Sequence, residues 1–309
     1  MKHLLVFALG VVASSAAYAE LIVPQGTKAR LQVTYQFKSV GKFVSPAKDV
    51  RSDWNALRVV EISADYVAGP PQAFGGLHQD DSKQKQDLDA LQGSIQNLHT
   101  TLAPTMQDMM KIAERCDEDE ECITREISNY GKQMDKSTVQ AGKQEGATVS
   151  KLATAPRFQS WQLTSQTGTY RIDEVVNTQV FEMTCTETKV CKRTETRKGG
   201  GSIMPGGTGK PPTGSSMLEV DSFNKDMMAM LPLPLAQLAY TETVTTTMID
   251  DEGGTRQQVS PPWMMKLQQA PPVRIGGDLK TVSGSQSIEV AGEKADGGTL
   301  TVNWTFTRL

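Results

Sequence analysis

The chain has 309 residues, 38% of them hydrophobic and only 6% aromatic, with 32 basic residues against 35 acidic ones. That balance by itself excludes little, but a nucleic-acid binder is expected to show a basic stripe, and the only close basic neighbours are Lys192-Arg193 and Arg197-Lys198. No stretch approaches the roughly 20 apolar residues of a membrane helix, and sparse aromatics beside a long helical segment suit an outer-membrane barrel poorly.

Residues 1–19 read as a cleavable targeting segment: Lys2, the apolar run Leu4 to Val12, and the small-x-small site Ala17-Tyr18-Ala19. Its removal after Ala19 leaves 31 basic against 35 acidic residues, a net charge of −4. The expected location is the periplasm or the medium. No cysteine stands at the cleavage site, so no acyl anchor is expected.

The region 20–78 is expected to be β. Leu31, Val33, Tyr35 and Phe37 alternate with polar residues, and Val60, Ile62, Ala64 and Tyr66 repeat the pattern. Residues 79–138 then change period. Leu88, Leu91, Ile95, Leu98 and Leu102 step by three and four, as do Met106, Met109, Ala113 and Cys116, and later Ile123, Ile127, Tyr130 and Met134. The short turn Cys116 to Cys122 folds these helices into a hairpin. Pro104 is expected to kink or split the first helix. The stripe Leu88, Leu91, Ile95, Leu98, Leu102, Met106 and Met109 exceeds what a short hairpin covers, and it is the candidate binding surface.

Cys116, Cys122, Cys185 and Cys191 form two pairs, each enclosing five residues. In an exported chain, local disulfides Cys116–Cys122 and Cys185–Cys191 follow. Zinc would ask for tighter cysteine spacing and nearby histidine. Residues 139–157, small and polar, read as a linker, and 158–309 as a second β-rich region. In it, Lys192 to Arg197 is expected at a sheet edge, 199–216 as a mobile Gly/Pro loop, and Phe223 to Leu238 as a broken helix. The Pro261 to Pro272 segment reads as an irregular connection, and Ile288 to Phe306 as a closing hairpin.

Catalytic signatures are incomplete. Gly206-Gly207-Thr208-Gly209-Lys210 has Pro211 where a phosphate loop needs Ser or Thr. Ser45-Pro46-Ala47-Lys48 and Ser82-Lys83-Gln84-Lys85 resemble the Ser-x-x-Lys of penicillin-recognising enzymes but lack that family's companion motifs. His78 and His99 have no Gly-x-Ser-x-Gly partner and are expected to sit at the surface or beside the helices. The acidic run Asp117 to Glu121 lacks the spacing of a calcium loop. Methionine clusters such as Met264-Met265 beside Trp263 could take copper(I), yet packing explains Met106 and Met109 as well.

The expected fold is therefore α+β: a mainly antiparallel β sandwich or curved sheet with an inserted, disulfide-closed helical hairpin. The expected function is non-catalytic, without cofactor or metal: binding an envelope protein, or assembly with further copies. A carrier or chaperone for a hydrophobic ligand or client, or a hydrolase with an unrecognised site, are the alternatives.

Overall fold

The computed structural model describes residues 21–117, 119–133, 136–181, 185, 190–203, 216–234, 238–259 and 269–309. The expected targeting segment, Met134, the glycine-rich run Gly206 to Lys210 and Trp263 to Met265 lie outside them. The chain divides into two compact units, residues 1–70 with 159–309, and residues 71–158.

Among the described residues the first unit is one sheet of eleven strands. They are β1 (Lys28–Val44), β2 (Val50–Gln72), β3 (Phe158–Phe181), β4 (Val190–Ser202), β5 (Met217–Asp221), β6 (Asp226–Met230), β7 (Ala239–Thr246), β8 (Gly254–Val259), β9 (Gln269–Arg274), β10 (Thr281–Val290) and β11 (Gly298–Arg308). The main path runs β10-β11-β1-β2-β3-β4-β7-β8, with β5, β6 and β9 branching from β3. Alternation builds the long strands. On β1, Leu31, Val33, Tyr35 and Phe37 are buried while the residues between them face outward. The sheet bends over its own apolar face. Trp161 of β3 meets Phe306 of β11 edge to face at 5.2 Å, although three strand spacings of about 4.8 Å would hold them well apart in a flat sheet. Two glycines permit tight cross-strand packing: Gly41 lies under the indole of its register partner Trp54, and Gly284 under that of Trp304. A side chain at either position would collide with the ring.

Several expectations need correction. Lys192 to Arg197 is no edge, for β4 lies between β3 and β7. Of the expected helix Phe223 to Leu238, residues 223–234 are not helical, because Asp221 turns the chain by accepting from the Phe223 and Asn224 amides, and β6 pairs back onto β5; residues 235–237 lie outside the described residues. Pro271-Pro272 lie within β9, which pairs with β6 through a register shift that accommodates residues lacking an N–H. Residues 199–202 belong to β4, and most of the expected loop lies outside the described residues.

The second unit is helical: α1 (Ser82–Cys116), α2 (Glu120–Gln133) and α3 (Lys136–Thr154). The expected linker is therefore largely helix. Its alanines, lysines and glutamines favour that state. Gly142 faces α1: a Cβ there would lie 3.4 Å from Leu102. Pro104 does not split α1. Pro104 and Thr100 are both exposed, so water can satisfy the carbonyl whose helical bond the ring removes.

Candidate functional site

The helical hairpin carries the residues singled out in the sequence, and its geometry is set at three levels. At its base, Asp81 caps α1 by accepting from the Gln84 amide at 2.8 Å. The Asp81 carboxylate also pairs with Arg157 at 2.7 Å, and Asp87 takes the other guanidinium nitrogen at 3.4 Å. Arg157 lies over the Phe158 ring at 4.8 Å, and His78 packs against the same ring at 5.6 Å. The Arg157 amide donates to the Gln72 carbonyl at 2.9 Å, so the chain leaves the hairpin where it entered. At mid-length, the Tyr130 hydroxyl donates to Asp108 at 3.1 Å. Lys111 and then Tyr130 hold that carboxyl below its ordinary pKa. At the tip, the Cys116–Cys122 disulfide closes the turn with a Cα separation of 5.6 Å. These contacts make α2 and α3 together the antiparallel return of α1, whose 35 residues extend about 50 Å.

Spacing decides which side chains the hairpin covers. Gln84, Thr105 and Ile112 are buried and Leu91 and Leu98 half-buried, all seven residues apart, which is the period of an antiparallel helical seam. A neighbouring ridge stays open. Leu88 is 42% exposed, Ile95 49%, Met106 53%, Met109 36% and Met110 59%. The expected stripe is thus divided: Leu91, Leu98 and Leu102 turn toward the hairpin, while Leu88, Ile95, Met106 and Met109 face outward. A shallow cleft of about 450 Å³ near the tip is bounded by Asp108, Lys111, Ile112, Arg115 and Tyr130.

The histidines are not brought together. His78 flanks the helix but is buried, contrary to a surface placement, because the base of the hairpin folds over it: its carbonyl accepts from the Asp81 amide and from Gln84 Nε2. His99 is exposed seventeen residues into α1. Ser45 is a turn residue whose hydroxyl donates to Asp49 at 2.6 Å. The sulfurs of the second cysteine pair are also joined to each other, Cys185 to Cys191. Among the described residues no helix is long and apolar enough to cross a membrane.

Sequence reasoning missed an ionic ladder across the sheet, buried at Arg58, Glu174 and Glu242 and open to water at Asp296 and Arg256. Arg58 of β2 donates to Glu174 of β3, both side chains at most 3% exposed. Arg197 of β4 bridges Glu174 at 3.3 Å, Asp296 at 3.2 Å and Glu242 of β7 at 3.0 Å, and Arg256 of β8 closes the row on Glu242 at 2.7 Å. Burial opposes the charge on Arg58 and Arg197, yet the facing carboxylates outweigh it and raise both pKa values. Each charge of the row meets an opposite one, so the row ties strands together rather than exposing a reactive group. The signal was present in the Lys192 to Arg197 alternation, which sequence alone assigns to solvent. On the outer face, an open groove of about 480 Å³ is lined by polar groups including Gln32, Thr34, Glu61, Ser63, Thr169 and Asn303.

No family model and no curated protein sequence matches this chain. A solved structure titled "Lipid-protein interactions in lipovitellin" aligns over 100% of this chain and 25% of that one, at 9% identity and a TM-score of 0.19. A likeness this low carries no argument about fold or function.

Proposed function

We propose that the chain is an exported, non-catalytic protein of the cell envelope that works as a protein-binding or assembly module through its helical hairpin. The supporting observation is the open apolar ridge of α1, where Leu88, Ile95, Met106, Met109 and Met110 recur along one helix beside a seam already filled. Adjacent exposed apolar side chains on a regular helix are the usual material of helix-to-helix or helix-to-groove recognition, and methionine adapts to the partner's shape. Two closed disulfides fit an oxidising compartment.

The test places a photo-crosslinking residue at Ile95 and measures sedimentation of the full chain over a range of concentrations. Expected are a defined crosslinked product, with a second copy or with one envelope protein, and its loss in Ile95→Lys/Met106→Lys. A chain that stays monomeric and gives no product from position 95 overturns the reading.

A further inference from the structure

A second exposed apolar feature lies on the sheet unit, at the far end of the β1–β2 hairpin, and it differs from the helical ridge in both shape and charge. Val40 is 64% exposed, Phe43 46% and Val44 53%. The turn that follows them is closed by hydrogen bonds. The Ser45 amide donates to the Val50 carbonyl at 2.9 Å, the Lys48 amide to the Ser45 carbonyl at 2.9 Å, and the Val50 amide to the Ser45 hydroxyl at 3.0 Å. Neighbouring residues of a strand point to opposite faces, so Phe43 and Val44 make this tip apolar on both sides. A protein partner laid against the sheet would cover one side and leave the other in water. Immersion of the tip in an apolar medium covers both.

The charges around the tip favour the same medium. Between Lys38 and Asp53 the chain carries Lys38, Lys42, Lys48 and Arg51 against Asp49 and Asp53, a local excess of cations in a chain whose net charge is −3. Both carboxylates are engaged locally, Asp49 by the Ser45 hydroxyl at 2.6 Å and Asp53 by Asn177 at 3.0 Å. The three lysines and Arg51 are exposed, and Arg51 also lies over the Phe181 ring at 4.8 Å. Long cationic side chains flanking inserted apolar residues can reach lipid phosphates while their stems remain in the apolar layer.

We infer that the β1–β2 tip is a peripheral membrane-docking site, with Phe43, Val44 and Val40 entering the interface of an anionic phospholipid layer and Lys38, Lys42, Lys48 and Arg51 meeting its headgroups. This surface is independent of the helical ridge, and either reading can fail without the other.

The full chain is floated with vesicles of phosphatidylcholine alone and of phosphatidylcholine mixed with phosphatidylglycerol. Binding is expected to the mixed vesicles, and to be weakened when ionic strength rises from about 0.1 M to about 1 M, since screening shortens the reach of the lysines. Phe43→Ser/Val44→Ser is expected to lower partitioning more than about tenfold, and Lys42→Glu/Lys48→Glu to lower it several-fold. Both variants should keep the wild-type urea midpoint, because the altered side chains are exposed. Val44→Trp should show blue-shifted emission on the mixed vesicles only. Absence of flotation at low salt, or equal flotation of wild type and Phe43→Ser/Val44→Ser, overturns the inference. So does concentration-dependent self-association that the same double variant abolishes, which would assign the tip to a protein contact.

Discussion

The sheet and the helical hairpin solve the problem of burial in opposite ways. The sheet hides its largest side chains completely: Trp161, Tyr35, Tyr66 and Phe37 are all less than 2% exposed. The hairpin buries only Gln84, Thr105, Ile112 and Cys116 along α1, and nothing along α2. The sheet is therefore held by its interior. The hairpin is held by a disulfide at the tip, the Tyr130–Asp108 bond at mid-length and the Asp81–Arg157 clasp at the base, with a thin seam along α1. This teaches where each unit tolerates change: the sheet at its surface, the hairpin away from its ends, the Asp108–Tyr130 bond and the few seam residues of α1.

The sharpest break in the comparison is Trp161→Ala, expected to destabilise the sheet by about 3 to 5 kcal/mol through lost burial and a cavity, read as a fall in the urea midpoint. Glu174→Ala should cost about 2 to 3 kcal/mol, because it removes the buried partner of Arg58, whose other partner, Asp296 at 2.8 Å, is half exposed, and takes one carboxylate from Arg197. Replacing Arg58 and Glu174 together with leucine should recover much of that loss. Cys116→Ala/Cys122→Ala should cost the hairpin about 2 kcal/mol, the value for so small a closed loop. Amide exchange would show it as faster opening around Asp108 and Tyr130, with β1 and β2 unchanged.

Smaller effects sharpen the contrast. Burial opposes ionisation of Glu242, but Arg197 and Arg256 outweigh it and keep its pKa below the ordinary value. A depressed carboxylate stabilises the fold fully above its unfolded pKa of about 4.3, and that stability is lost as pH falls through the lower folded value. Acid unfolding of wild type should therefore steepen below about pH 4, and Glu242→Gln should flatten that limb. The ridge variant Ile95→Lys/Met106→Lys should change stability least, by no more than about 0.5 kcal/mol. A large change in its melting temperature would place the ridge in a covered interface of the free chain.

Much of this fold was legible where the pattern is local. Strict alternation from Leu31 to Phe37 and from Leu300 to Phe306 marks β1 and β11, and equal five-residue enclosures pair the cysteines. The change from period two to steps of three and four marks α1. What depends on a partner was not legible. Thr194, Glu195 and Arg197 look like a wetted edge until Glu174 and Glu242 stand opposite. Residues 139–154 look like a linker until α1 stands beside them, with Leu102 next to Gly142. Division of the Leu and Met stripe was equally hidden, because a sequence shows that residues share a helical face but not how wide a strip the neighbour covers.

One consequence follows from the way β2 hands over to β3. The Gln72 carbonyl and the Arg157 amide are hydrogen-bonded, and β2 and β3 pair beyond them, with the Gln159 side-chain Nε2 donating to the Gly69 carbonyl and, at the far end, the Asp49 carbonyl accepting from the Phe181 amide. In topology the 84 residues from Ala73 to Pro156 occupy the place of a simple turn. The sheet fixes only where this cassette begins and stops, leaving its length and surface free to drift, and closing a long loop costs little more than closing a short one. Joining Gln72 to Arg157 through Asn-Gly should yield a smaller, folded β-protein, and a different recognition arm could be grafted at the same two points.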